Sequence, residues 1–129
     1  MVIIDTSAWI EYFRNGDIEV VGKVDRCLDQ DLVGIGDLIY CEVMQGIYAA
    51  RQRGEVSSLL LSLPHFDMCG FQIAEKSAAN YRLLRSKDIT VRKTIDVIIG
   101  TFCAENGFQI VHRDSDFDLM AKLMGLDVL

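Results

Sequence analysis

The chain has 129 residues, of which 50% are hydrophobic, and its 19 acidic and 13 basic side chains give a formal charge of −6. This length suffices for one domain that buries roughly two thirds of its unfolded surface, so we expect a single domain over residues 1–129. No apolar run approaches a membrane span and the N-terminus lacks a basic leader, so we expect a soluble cytoplasmic protein. A net negative charge disfavours a protein that binds nucleic acid nonspecifically. Either the partner is not a polyanion, or several of the carboxylates bind cations.

The first half of the chain alternates short apolar runs with helical patterns. Val2–Ile4 is a β-branched run that predicts a strand, and it is stopped by Asp5, Thr6 and Ser7, which are good N-caps for a helix over 8–15. The further predictions up to Pro64 are a helix over 17–30, a short strand over 32–35, a long helix from Asp37 to about Arg53 that Gly54 closes, and a helix over 56–63 that Pro64 ends.

The second half continues the same alternation. Its predicted elements are a strand over 65–69, a helix over 73–86, a polar connection over 87–93, a helix over 94–105 ended by Asn106 and Gly107, a strand over 108–111, an amphipathic helix to about Met124 and a terminal apolar segment. Strands that alternate with helices imply a mainly parallel sheet covered on both faces. We therefore predict an α/β fold of the three-layer α/β/α type.

The cysteines and histidines favour neither a disulfide framework nor a zinc site. Cys27, Cys41, Cys69 and Cys103 are widely spaced and form no CxxC pair, which predicts reduced thiols in the core. His65 and His112 are isolated, and we interpret both as ordinary polar residues.

Four acidic residues stand where chemistry is expected. Asp5 ends the first strand and Asp114 follows the strand over 108–111, so the two would share one edge of the sheet if these strands are parallel neighbours. Asp96 lies in a helix so apolar that burial is expected, and Glu42 lies inside an apolar helix with the small Gly46 one turn away, where an ion would have room. Each also has a structural interpretation. Asp5 and Asp114 could be helix caps or turn residues, Asp96 could be an acid at a helix start beside a Thr94 cap, and Glu42 could be a solvated side chain.

Together the four acids are more informative than any one of them. Carboxylates gathered in one place repel each other strongly, and a divalent cation removes that repulsion. A set of carboxylate oxygens suits Mg²⁺ or Mn²⁺, whereas Zn²⁺ normally recruits His and Cys. Metals held in this way serve phosphoryl chemistry, and the sequence contains no Walker loop or nucleophile elbow, so hydrolysis of a phosphodiester is the simplest use.

Four segments resemble the signatures of the PIN-domain family, and more narrowly of the VapC toxins of bacterial toxin–antitoxin pairs. They are VIIDTSAWIEYF, DLIYCEVMQG, TIDVIIGTFCAENG and IVHRDSDFDLMA, and they span nearly the whole chain. The resemblance implies a PIN fold and Mg²⁺-dependent endoribonuclease activity, usually on structured RNA such as tRNA. It also implies a homodimer that a small VapB-type antitoxin inhibits.

The resemblance assigns Asp5, Glu42, Asp96 and Asp114 as the four acids, and Thr6 or Ser7 as the hydroxyl that commonly follows the first. The fourth position stays open between Asp114, Asp116 and Asp118. If Ser115 caps the last helix, Asp118 is its N3 residue with a structural role, while Asp114 and Asp116 remain to hold the ion.

Contact with RNA phosphates would fall to a minority of basic side chains. The candidates are Arg51, Arg53, Arg82, Arg85, Lys87, Arg92, Lys93 and Arg113, of which only Arg113 adjoins a proposed site residue; the alternative for each is a solvated helix face. Two rival functions remain. One is a phosphatase with Asp5 as nucleophile, which would need a second Asp where Ser7 stands, and the other is a PIN-like interaction module without activity.

Overall fold

A computed structural model describes residues 1–129 as five strands and seven helices. The strands are β1 (Val2–Ile4), β2 (Val33–Gly36), β3 (His65–Phe66), β4 (Gln109–Val111) and β5 (Asp127–Val128). The helices are α1 (Thr6–Phe13), α2 (Ile18–Asp29), α3 (Asp37–Gln45), α4 (Ala50–Leu61), α5 (Phe71–Ser86), α6 (Thr94–Asn106) and α7 (Ser115–Met124). None of the helices combines the length and the apolar composition that a membrane span requires.

The strands form one sheet in the order β3-β2-β1-β4-β5. Val2 pairs with Val33, Ile35 with His65, and Gln109 with Asp127, and all three ladders are parallel. The α/β class with a parallel central sheet is thus confirmed. The chain divides into two compact units, of which the first comprises Met1–Asp67 with Val111–Arg113 and the second comprises Met68–Ile110 with Asp114–Leu129.

In the first unit, α1 and α3 pack their apolar faces together, and α1 also packs on α2. The indole of Trp9 is fully buried and stacks on Phe13 with ring centroids 5.3 Å apart. Helix α2 begins where the sequence predicts, because Asp17 Oδ1 accepts hydrogen bonds from the Glu19 and Val20 amides at 3.0 and 3.2 Å. The buried Trp9 therefore anchors α1 in the core of this unit.

In the second unit, α6 is the central helix and packs against α5 and α7. Its burial on nearly all sides, including Ile99, Phe102 and Cys103, confirms the prediction from its apolar composition. Gly107 ends it in the left-handed conformation, with φ +66°, as the Asn-Gly pair predicts.

Two predictions about the elements and one about the cysteines are wrong. The long helix from Asp37 is interrupted after Gln45, and α4 runs from Ala50 through Gly54, because the Arg53 guanidinium donates to the Tyr48 carbonyl at 2.5 Å and holds the intervening turn. The strand over 65–69 is only two residues long.

The third concerns the thiols. All four are unbridged, but only Cys27 and Cys103 are buried, while Cys41 and Cys69 are exposed on α3 and before α5. Burial raises the pKa of the Cys27 thiol, which keeps it protonated and unreactive.

Candidate metal centre

Asp5 joins the end of β1 to the start of α1 and is 4% exposed. Its Oδ2 atom accepts hydrogen bonds from the Ser7 amide at 3.0 Å and the Ser7 hydroxyl at 2.6 Å, and its own amide donates to the Val111 carbonyl of β4 at 2.9 Å. The alternative role of Asp5 as a helix cap is thus observed. A carboxylate that caps a helix through one oxygen can still bind a ligand through the other, so the two roles are compatible.

Glu42 is half-buried on α3 and accepts a hydrogen bond from the Thr6 hydroxyl, with Oγ1 and Oε1 2.9 Å apart. It lines an open cavity of about 290 Å³ together with Gly46, in agreement with the space predicted beside that glycine. Both candidates for the hydroxyl after the first acid make a contact. The Thr6 hydroxyl binds Glu42 and the Ser7 hydroxyl binds Asp5.

The second unit brings three carboxylates together. Asp96 on α6, which is 5% exposed, and the partly exposed Asp114 and Asp116 at the start of α7 each offer an oxygen within 4.8 Å of the others. Asp96 lies in the first turn of its helix, as expected, but the N-cap is Lys93, so the predicted Thr94 cap is wrong. Three of the acids predicted from sequence as metal ligands, Asp96, Asp114 and Asp116, therefore lie in one cluster.

The start of α7 also differs from the prediction. Asp114, and not Ser115, is the N-cap, and its Oδ1 accepts the Asp116 amide at 3.0 Å. Asp118 is consequently one position too late to complete a capping box, and it lies outside the carboxylate cluster. The reason is that an aspartate side chain reaches the amide two residues on as readily as a serine does.

The cluster fits a hard divalent cation. Neighbouring oxygens around an octahedral Mg²⁺ with bonds of ~2.1 Å are about 3.0 Å apart, so shifts of about 1 Å would bring the three carboxylate oxygens into coordination from their separation of at most 4.8 Å. The cluster contains no histidine or cysteine, which disfavours Zn²⁺.

A group of charged residues in the first unit was missed by the sequence analysis. Glu11 on α1 is only 6% exposed, and it binds Arg14 through two hydrogen bonds, of 2.6 and 3.0 Å, and the Asp17 amide through a third of 3.0 Å. Arg14 and the Asp17 amide hold the pKa of Glu11 below its usual value. The available signal was the Glu11–Arg14 spacing of i,i+3 just before Gly16 and Asp17.

Several of the basic candidates are engaged within the chain. Arg51 pairs with Glu55 at 3.3 Å on α4, and Arg85 donates to the Thr90 hydroxyl at 2.6 Å. Arg113 binds Asp17 Oδ2 through Nε at 3.0 Å. Because these three side chains already have partners within the chain, they are less available to bind phosphates.

Known proteins resemble this chain over most of its length. A family model for the PIN domain matches residues 2–123. Ribonuclease VapC11 of Mycobacterium tuberculosis is 34% identical over 98% of the chain and 96% of its own length. Ribonuclease VapC51 of the same species is 32% identical over 60% of the chain and 58% of its own length.

Solved structures share the fold at low sequence identity. VapBC2 from Rickettsia felis, bound to a promoter DNA fragment, has a TM-score of 0.78 and 12% identity over 100% of this chain and 98% of that one. A toxin–antitoxin complex from Klebsiella pneumoniae has a TM-score of 0.73 and 22% identity over 100% of this chain and 96% of that one. At these identities the match concerns the fold alone.

Proposed function

The chain belongs to the PIN-domain family, and from this we propose that it is a metal-dependent endoribonuclease, the toxin of a VapBC-type pair. The observation that carries the proposal is the carboxylate cluster of Asp96, Asp114 and Asp116, in a chain whose relative over nearly its full length is a ribonuclease. The family model leaves out only residue 1 and the last six residues. We therefore treat residues 1–129 as one functional nuclease domain.

We propose Asp5, Glu42, Asp96 and Asp114 as the catalytic acids and as ligands of Mg²⁺ or Mn²⁺, with Asp116 as a further ligand. Held by these carboxylates, a divalent ion would supply activation of a water for attack on the phosphodiester and would offset charge on the phosphate and the leaving oxygen. In the second unit, the protein supplies three carboxylates at the starts of two helices, where the dipoles favour negative charge.

In the first unit, the protein orients its two acids with hydroxyl groups. Ser7 donates its hydroxyl proton to Asp5, and Thr6 donates to Glu42. Both contacts point a carboxylate oxygen towards a hydroxyl group of the same unit. Each hydroxyl also limits its carboxylate to one rotamer, which lowers the entropy lost when a ligand binds.

The partners proposed are a structured RNA such as tRNA, a second copy of the chain, and a small VapB-type antitoxin, all in the cytoplasm. The basis is the family and the solved structures that share the fold, several of which are VapBC complexes. The excess of carboxylates favours an antitoxin whose basic segment reaches the acidic residues. Light scattering tests the dimer, and charge reversal in that antitoxin segment tests the contact, since inhibition should then be lost.

The activity is tested with purified protein and a mixture of tRNAs in Mg²⁺, in Mn²⁺ and in EDTA. We expect discrete fragments with either metal and none with chelator. Asp5→Asn and Asp96→Asn should each abolish cleavage while the fold is retained, and Asp118→Asn, outside the cluster, is the matched control. Cleavage that continues undiminished in EDTA would exclude the metal mechanism, and absence of all cleavage by a folded protein would favour the interaction module.

A further inference from the structure

Arg113 lies two residues after the end of β4 and directly precedes Asp114, the position from which a basic residue would be expected to bind RNA. Resting on the proposed function, we infer that Arg113 is instead a positioning residue, which fixes the Ser7 hydroxyl and thereby the carboxylate of Asp5. The evidence is a continuous series of contacts within the first unit that begins at the buried Glu11 and ends at Asp5.

The first step is a rigid anchor at the turn between α1 and α2. Glu11 uses both of its oxygens on Arg14 and one of them also on the Asp17 amide. Gly16 lies so close that a Cβ atom there would overlap Glu11 Oε2, so any larger residue would displace the Glu11 carboxylate. The Asp17 main chain is thereby fixed against α1.

The second step runs from Asp17 to Arg113. One Asp17 oxygen, Oδ1, caps α2, and the other, Oδ2, lies 3.0 Å from Arg113 Nε. Glu11 Oε1 is 4.0 Å from the same nitrogen. Arg14 and Arg113 together balance the two carboxylates, so the guanidinium of Arg113 belongs to a locally neutral group and not to an isolated positive patch.

The third step passes through the main chain of Arg113. Its amide donates to Ser7 Oγ at 2.9 Å, and Ser7 Oγ lies 2.6 Å from Asp5 Oδ2. A serine hydroxyl has a single proton, and because its oxygen accepts from Arg113, that proton is directed to Asp5. Tethering the Arg113 side chain to Asp17 holds its amide in place, and this determines where the Ser7 proton points.

The two roles for Arg113 predict opposite behaviour when Asp17 is changed. A phosphate-binding arginine would be released by Asp17→Asn, so RNA binding would improve or stay the same. A positioning arginine would lose its anchor, so Asp17→Asn should reproduce the effect of Arg113→Met. The side-chain amide introduced by Asp17→Asn keeps an oxygen for the helix cap, which separates loss of the ion pair from loss of α2.

The experiment compares Arg113→Met, Asp17→Asn and the double variant, with Glu19→Gln as a control that removes a nearby negative charge without a contact to Arg113. We expect kcat to fall about tenfold in each single variant and no further in the double one, because all three break the same contact. KM and its salt dependence should stay as in the wild type. A raised KM and a salt slope lower by about one in Arg113→Met alone would show a phosphate contact and overturn the inference.

A measurement independent of activity completes the test. Hydrogen exchange of the Arg113 amide, followed by NMR, should be slow in the wild type and faster in Ser7→Ala and Asp17→Asn, but unchanged in Glu19→Gln. Equal exchange in wild type and Asp17→Asn would refute the positioning role, even if the wild-type protein cleaves RNA. If no RNA is cleaved under any condition, the proposed function fails and the exchange rates alone decide the inference.

Discussion

Replacing Asp96 with Asn tests whether the cluster in the second unit is a cation site. Asp96 has two carboxylate neighbours with oxygens within 4.8 Å, and for charges at that separation the repulsion is about 1 kcal/mol per pair in water and about 3.5 kcal/mol at an effective dielectric of ~20. Asp114 and Asp116 are partly exposed, so water screens them and the lower end applies. We expect the variant without metal to be more stable by about 1–2 kcal/mol, which for this length is roughly 3–8 °C in Tm.

The assay is thermal unfolding with and without Mg²⁺. At a concentration a hundredfold above Kd, Mg²⁺ should stabilise the wild type by about 2.7 kcal/mol, and it should stabilise Asp96→Asn far less. Asp118→Asn, on the same helix as Asp114 but outside the cluster, should keep the full Mg²⁺ shift. Equal shifts in wild type and Asp96→Asn would mean that Asp96 is a helix-start residue and nothing more.

Four other variants test separate parts of the structure. Because the folded-state pKa of Glu11 is lowered, its contribution to stability is present above the usual value of 4.5 and is lost as pH falls through the lower folded value. Glu11→Gln should lack this loss when the free energy of unfolding is measured against pH in acid. Parallel curves for the wild type and the variant would contradict the prediction. Gly54 lies inside a helix, and a Cβ atom added there would meet no atom within 4 Å, so Gly54→Ala should stabilise the protein by about 0.5–1 kcal/mol. Gly107 has φ +66°, so Gly107→Ala should destabilise it by about 1–2 kcal/mol; chemical denaturation measures both changes. Asp114→Asn should slow RNA cleavage at least tenfold (~1.4 kcal/mol) with little loss of stability, and full activity would remove it from the site.

The elements that local chemistry determines could be predicted, and those that depend on distant contacts could not. Asp17 at the start of α2 and Gly107 at the end of α6 are recognisable from residue type and neighbours alone. The break between α3 and α4 depends on the Arg53 side chain reaching back to the Tyr48 carbonyl, and Gly54 then lies inside a helix that it was expected to end. A single glycine costs a helix only about 1 kcal/mol, which packing easily offsets.

The residues of the candidate site also differ in whether the sequence alone could reveal them. Asp96 could be recognised because an acid within a wholly apolar helix is unusual, and the structure brings it to Asp114. Glu11 escaped notice because an acid three residues before an arginine on a helix normally lies at the surface. Arg14 and the Asp17 amide compensate its lost hydration through hydrogen bonds. The i,i+3 spacing indicates the ion pair with Arg14, but it does not indicate that Glu11 is buried.

The negative charge of the chain leads to a last prediction about how RNA is bound. With a formal charge of −6, one divalent ion adds two positive charges and leaves −4, so attraction of a polyanion has to arise locally at the bound metal. Arg51, Arg85 and Arg113 are engaged with partners inside the chain, which strengthens this dependence. We therefore expect RNA affinity itself to require Mg²⁺: for the wild type with a non-hydrolysable RNA analogue, fluorescence anisotropy should show the Kd falling as Mg²⁺ is raised at constant ionic strength. Tight binding in EDTA would mean that a basic surface, and not the metal centre, attracts the substrate.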